Sequence, residues 1–147
     1  MTIIGFFLAL AVFLLKWGFQ KSKRGNPAED FLAFLMLFAF GLAGIGDAIG
    51  HFFYAARMSA LYGYTSIEMG VANLALGTLA VLSFWMRRGF LNAALLGNTI
   101  WFWGSALALL RFGSLSAPLG VYFLVELLIP VIVWVVYFKR EQRLAKR

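Results

Sequence analysis

The 147-residue sequence contains no cysteine, one histidine and only six acidic residues. The absence of cysteine excludes disulfides, thiol redox chemistry and thiolate metal sites. Charged residues make up 13% of the chain and hydrophobic residues 63%, whereas soluble domains are roughly a quarter charged and half apolar. A soluble domain of this length cannot bury so much apolar surface. The composition therefore predicts a single transmembrane domain over residues 1–147.

Five apolar runs approach the roughly 20 residues that a helix needs to cross the hydrocarbon core of a bilayer. They cover about residues 2–19, 28–55, 68–86, 90–111 and 118–138. None shows the alternation of a membrane β-strand, and backbone groups in lipid need partners within their own segment. The sequence predicts an all-α fold, a polytopic integral membrane bundle of five transmembrane helices with a basic tail at 139–147.

The positive charges predict how the bundle is oriented. Eleven of the 13 basic residues fall in joints and a tail expected on one side of the membrane. They are Lys16, Lys21, Lys23, Arg24, Arg87, Arg88, Lys139, Arg140, Arg143, Lys146 and Arg147. Basic residues mark the cytoplasmic side, so we expect the N-terminus outside and the C-terminus in the cytoplasm. Because these residues cluster between apolar runs, the net charge of +7 does not indicate nucleic-acid binding.

Polar groups inside the apolar runs are the candidate functional residues, because ionisable groups in hydrocarbon are costly and mark ligand or proton pathways. Asp47, His51 and Tyr54 have the spacing of one stripe on the second helix. A carboxylate beside an imidazole can orient the ring for proton transfer. A purely structural pair of Asp47 and His51 is the alternative.

The fifth helix combines an ionisable side chain with a proline. Glu126 lies four residues before Pro130, whose ring displaces the carbonyl at that position, so Pro130 is a candidate hinge. The helical rise places the candidates, apart from Asn98, in the outer half of the membrane. The ligand- or proton-binding candidates are Asp47, His51, Tyr54, Glu68, Asn73, Asn98, Trp101 and Glu126, with Arg57 and Arg111 as candidate charge partners.

Structural roles compete with functional ones for several of these residues. The tetrapeptide Thr65–Glu68 fits a capping box at the start of the third helix, in which the glutamate needs no further role. Arg57 and Arg111 fit side chains that extend to the membrane interface. Asn73 and Asn98 fit hydrogen bonds between helices.

Motifs for cofactors and metals are absent from the sequence. There is no P-loop, Rossmann glycine pattern, zinc-protease motif or serine elbow. One histidine cannot provide bis-histidine haem ligation, and Asp47 with His51 supplies only two ligands of a zinc set. We expect no cofactor and no metal.

Two segments of helices 2 and 3 carry a resemblance to known sequences. Gly50-His51-Phe52-Phe53 and the stretch Glu68–Gly77 resemble a group of uncharacterised small bacterial membrane proteins, loosely similar to DoxX-like four-helix proteins. The resemblance covers about residues 41–111. It implies a compact helical bundle in a bacterial inner membrane and supplies neither an activity nor catalytic residues.

Three functions fit these features. The first is a small permease or ligand-binding bundle with an outward-facing polar pocket for a proton, a cation or a small amphipathic molecule. The second is a membrane enzyme with acid–base carboxylates acting on a lipid, quinone or sterol-like substrate. The third is an accessory or assembly subunit without chemistry, whose Gly46-x-x-x-Gly50 face binds another helix or a second copy. The bilayer itself is a partner in all three, and the first two add a small-molecule or lipid ligand.

Overall fold

The computed structural model describes residues 2–19, 26–55, 57, 60–86, 89–112 and 117–146, without the side chains of residues 60–62, 64, 112 and 117–119. Six basic residues used for the predicted orientation lie outside the described residues. They are Lys21, Lys23, Arg24, Arg87, Arg88 and Arg147.

Five long helices account for nearly all of the described chain. They are α1 (Thr2–Phe19), α2 (Pro27–Ala55), α3 (Ala60–Ser83), α4 (Gly89–Phe112) and α5 (Ala117–Leu144). Each contains a stretch long and apolar enough to cross a membrane. The prediction of an all-helical chain with five such helices is confirmed.

Local sequence signals explain where α2 begins. The Asn26 side chain accepts a hydrogen bond from the backbone N–H of Ala28 at 3.1 Å, and Pro27 occupies the first turn. Proline suits this position because its missing N–H would have no partner in the helix. Lys16 Nζ of α1 lies 2.8 Å from Asp30 Oδ1, so an ion pair joins the end of α1 to the start of α2.

Two predicted helix boundaries differ from the structure. α3 begins at Ala60 instead of residue 68, so Thr65–Glu68 lies inside the helix and is not a capping box. α5 continues to Leu144, so most of the expected basic tail is helical. The length of an apolar run indicates how much of a helix can lie in lipid. Lysine and arginine are good helix formers, so a helix can continue beyond its apolar run.

The middle of α2 is a π-helical segment, Leu35–Leu42, between the α-helical parts Pro27–Phe34 and Ala43–Ala55. This segment packs against both α1 and α3. Close approach on the α1 side depends on Gly5, because a Cβ there would lie 2.8 Å from the Cα of Ala39. On the α3 side, a Cβ on Gly77 would lie 2.9 Å from the carbonyl oxygen of Gly41.

The buried apolar core lies away from the end of the bundle at which α1 begins. It joins residues of all five helices, among them Ala9, Leu32, Met36, Leu95 and Val133. Trp134 Nε1 of α5 donates a 2.9 Å hydrogen bond to Thr99 Oγ1 of α4. This contact ties the last two helices together beside the core.

Candidate functional site

A cavity of about 910 Å³ occupies the end of the bundle at which α1 begins. All five helices line it: the start of α1, the second half of α2, the middle of α3, the second half of α4 and the beginning of α5. Its polar or aromatic lining residues include Thr2, Asp47, His51, Tyr54, Asn73, Asn98, Trp101, Ser105, Tyr122 and Glu126. Seven of the eight predicted binding residues therefore lie on one cavity, and Glu68 does not.

Three apolar residues belong to both the core and the cavity lining. They are Ala39 and Phe40 of the π-helical segment and Phe102 of α4. The rings of Phe40 and Phe102 meet edge to face, with centroids 5.3 Å apart. We call these three residues the cavity floor.

Glu126 is held by a single hydrogen bond from the neighbouring helix. Ser105 Oγ of α4 donates to Glu126 Oε1 at 3.0 Å. Oε2 of the same carboxyl group is buried and has no hydrogen-bond partner among the described residues. Buried polar atoms without partners are uncommon in folded proteins, and this one belongs to a residue on the cavity wall. Its hydrogen-bonding capacity is unused within the described part of the chain.

Pro130 lies within the continuous helix α5, with its ring fully buried. Because proline has no backbone N–H, the carbonyl of Glu126 cannot receive the usual helical hydrogen bond from residue 130. A backbone acceptor and a carboxylate thus coincide on this turn of α5, as the sequence predicted.

Ser66 of α3 sets the orientation of the His51 ring. Its hydroxyl donates to the backbone carbonyl of His51 at 3.0 Å and lies 3.2 Å from His51 Nδ1. A serine hydroxyl has one proton. In the neutral tautomer that is compatible with both contacts, Nδ1 carries the hydrogen and donates it to Ser66, and Nε2 is a proton acceptor. The His51 side chain lines the cavity.

Among the described residues, the hydrogen bond of the Asn98 side chain stays within its own helix. Its amide N–H donates to the carbonyl of Ala94, one turn earlier in α4, at 2.8 Å. The predicted hydrogen bond to another helix is not seen in this part of the chain, since α4 itself offers an acceptor within reach. Asn98 is 3% exposed and lines the cavity.

Three predicted residues lie away from the cavity. Glu68, Arg57 and Arg111 are exposed and do not line it. The described lining residues therefore include two carboxylates, Asp47 and Glu126, and neither lysine nor arginine. A positively charged ligand would complement this lining.

Four further polar residues lie at or beside the cavity and are not among the predicted binding residues: Thr2, Ser66, Ser105 and Tyr122. Helical spacing carries a signal for two of them. Tyr122 lies four residues before Glu126, and Ser105 lies four after Trp101, so each shares a face with a predicted residue. Thr2 has no such neighbour in the sequence.

Within the described ranges, no three acidic or histidine side chains come together in a way that would hold a metal ion. Asp47 and His51 share the cavity with Glu126 without forming such a group.

Comparison with known proteins places the chain in a family. A family model described as a family of unknown function, DUF6790, matches residues 1–146, and the chain belongs to that family. No curated protein and no solved structure matches the chain. The resemblance to DoxX-like proteins finds no support in these comparisons.

Proposed function

We propose that this DUF6790 member is a small permease or ligand-binding bundle of a bacterial inner membrane, and that its cavity binds a cation. One observation carries the proposal: Asp47 and Glu126 line the same cavity, and none of its described lining residues is lysine or arginine. Burying a charged ligand requires compensation by opposite charge. The two carboxylates provide that charge, and among the described residues Glu126 Oε2 has no hydrogen-bond partner.

The basic residues support an outward-facing cavity. Lys16 lies near the end of α1, and Lys139, Arg140, Arg143 and Lys146 lie near the end of α5. The cavity is at the opposite ends of both helices. Because basic residues favour the cytoplasmic side, this distribution favours a cavity that opens outside the cytoplasm.

The test of this proposal replaces Asp47 with asparagine, which keeps the shape of the side chain and removes its charge. We expect Asp47→Asn to weaken binding of tetramethylammonium to the purified full chain by at least tenfold, since a carboxylate on the cavity wall is lost. Binding is measured with radiolabelled ligand in maltoside micelles. Glu68→Gln is the matched control, because Glu68 is exposed and away from the cavity. Unchanged affinity in Asp47→Asn would contradict the proposal.

An enzyme acting on a lipid, quinone or sterol-like substrate is the second candidate. The observation that favours it is the Ser66 contact, which is compatible with a neutral His51 whose Nε2 accepts a proton in a cavity that Asp47 and Glu126 also line. Lipid that copurifies with the chain, is converted to a product of different mass and loses that conversion in His51→Gln would favour the enzyme. A non-catalytic assembly subunit has less support, because Gly46 and Gly50, its predicted contact face, line the cavity.

A further inference from the structure

An apolar groove runs along the seam between α1 and α5. It has a volume of about 250 Å³, and every residue that lines it is apolar, including Ile3, Phe6 and Phe7 of α1 and Val121, Leu128 and Ile132 of α5. Phe7 is 62% exposed and Leu128 is 55% exposed. α1 packs mainly against α2, and α5 packs against α4 and the start of α2. In the described part of the chain, α1 and α5 therefore leave their shared seam largely unfilled.

The groove adjoins the cavity. Ile3 and Val125 line both spaces, and Val125 directly precedes Glu126. A molecule lying in the groove is therefore beside the cavity wall, next in the chain to Glu126. An apolar groove that adjoins a cavity lined by two carboxyl groups complements a ligand with an apolar chain and a positive end.

The length of the groove matches one fatty chain. From Val121 to Ile132 the helix rises by about 16 Å, which is about half of the roughly 30 Å hydrocarbon core. The chains of a lipid or detergent in one leaflet have this reach. The groove follows one helix pair and has room for a single chain.

Aromatic side chains suit the positive end. Tyr54, Trp101 and Tyr122 line the cavity together with the two carboxylates. Rings of this kind attract ammonium groups through their negative faces, and quaternary ammonium is a frequent ligand of such sites.

We propose that the ligand is a single-chain alkylammonium, with its head group in the cavity beside Asp47 and Glu126 and its alkyl chain in the α1–α5 groove. This inference rests on the proposed cation site and adds the class of ligand and its route, lateral entry along the seam between the first and last helices.

The test uses a trimethylammonium probe with a photoreactive diazirine at the far end of its alkyl chain, added to the full chain in maltoside micelles. Cross-linked residues are mapped by mass spectrometry. We expect adducts within residues 3–7 and 121–132, because the chain would lie between these segments. Excess tetramethylammonium and the Glu126→Gln substitution are each expected to reduce these adducts at least tenfold, since both act on the head group.

A second variant tests the contribution of the groove independently of the cavity. Leu128→Trp fills the groove with a larger side chain, while Leu96→Trp adds the same bulk at an exposed position of α4 outside it. We expect Leu128→Trp to reduce groove adducts at least fivefold and to leave tetramethylammonium affinity within twofold of the parent chain. Leu96→Trp is expected to change neither.

The outcomes distinguish this inference from the proposed function. Tetramethylammonium binding with adducts spread over all helices would overturn the alkylammonium route and leave the cation site standing. Loss of tetramethylammonium binding itself would overturn both. Groove adducts that an uncharged probe reproduces and tetramethylammonium does not displace would show only a lipid-facing surface. A groove protected by a second copy of the chain or by a retained two-chain phospholipid would also overturn the inference.

Discussion

Replacing Glu126 with glutamine tests the charge of the cavity most directly. The glutamine keeps an oxygen that accepts the hydrogen bond from Ser105, so the local geometry is retained while the negative charge is removed. A cation centred about 5 Å from the carboxylate gains about 3 kcal/mol at an effective dielectric constant of about 20. Desolvation offsets part of this energy, and Asp47 remains on the same cavity. We therefore expect the Kd for tetramethylammonium to rise about 10- to 100-fold.

The assay is equilibrium binding of radiolabelled tetramethylammonium to the full chain in maltoside micelles. Thermal unfolding of each variant in the same micelles verifies that the bundle is folded. Glu68→Gln removes a carboxylate that is exposed and away from the cavity, so its Kd should stay within twofold of the parent value. An unchanged Kd in folded Glu126→Gln, or an equal loss in Glu68→Gln, would refute the role of cavity charge.

Three further predictions concern hydrogen bonds and packing. Ser105→Ala removes a neutral donor to Glu126 and is expected to weaken tetramethylammonium binding two- to tenfold in the same assay, less than loss of the charge. Gly77→Leu places a side chain against backbone atoms of α2 and should lower the free energy of unfolding by about 1–3 kcal/mol in detergent, whereas Gly104→Leu, with open space at its Cβ, should not. Thr99→Val leaves the part-buried indole N–H of Trp134 without its acceptor and should lower the same free energy by about 1–3 kcal/mol. If Thr99→Val costs as much stability in a Trp134→Phe protein, which has no indole N–H, the lost hydrogen bond is not the cause.

The starts of α2 and α3 show what short sequence signals can predict. At α2, Asn26 supplies a side-chain acceptor and Pro27 a fixed backbone angle, and both act on the first turn alone. The start of this helix was therefore predicted correctly. Thr65–Glu68 has a similar composition but lies inside α3. A capping sequence favours a helix start without preventing the preceding residues from being helical, and residues 60–64 contain no proline.

The cavity was more predictable than the groove for a physical reason. Polar groups within apolar runs stand out, and helical spacing places Asp47, His51 and Tyr54 on one stripe that the structure brings to the cavity. The groove consists only of apolar residues. In a membrane helix such residues face lipid and neighbouring helices alike, so the sequence does not distinguish an open seam from a packed one. The π-helical segment 35–42 is equally apolar and carries no local signal.

The bundle has a packed half, which contains the core, and a second half, which contains the cavity. The core, the Trp134–Thr99 bond and the Lys16–Asp30 ion pair lie away from the carboxylates of the cavity. The cavity floor belongs to both halves, and two of its three residues come from the π-helical segment. A π-helical turn takes in one more residue than an α-helical turn. The segment therefore rotates the stripe that begins at Asp47 about the helix axis, relative to the core residues that precede it in α2.

Because packing elsewhere holds the five helices, the cavity half can carry buried polar groups that lack protein partners, which in a compact core would destabilise the fold. Within the described part of the chain, Glu126 Oε2 is one such group. Substitutions that remove charge from the cavity should therefore change ligand affinity much more than stability, whereas those at close helix contacts outside the cavity lining, such as Gly5, should do the reverse. A bundle whose carboxylates served only to hold its helices together would lose stability in both cases, so measuring affinity and unfolding on the same variants separates a binding site from a structural one.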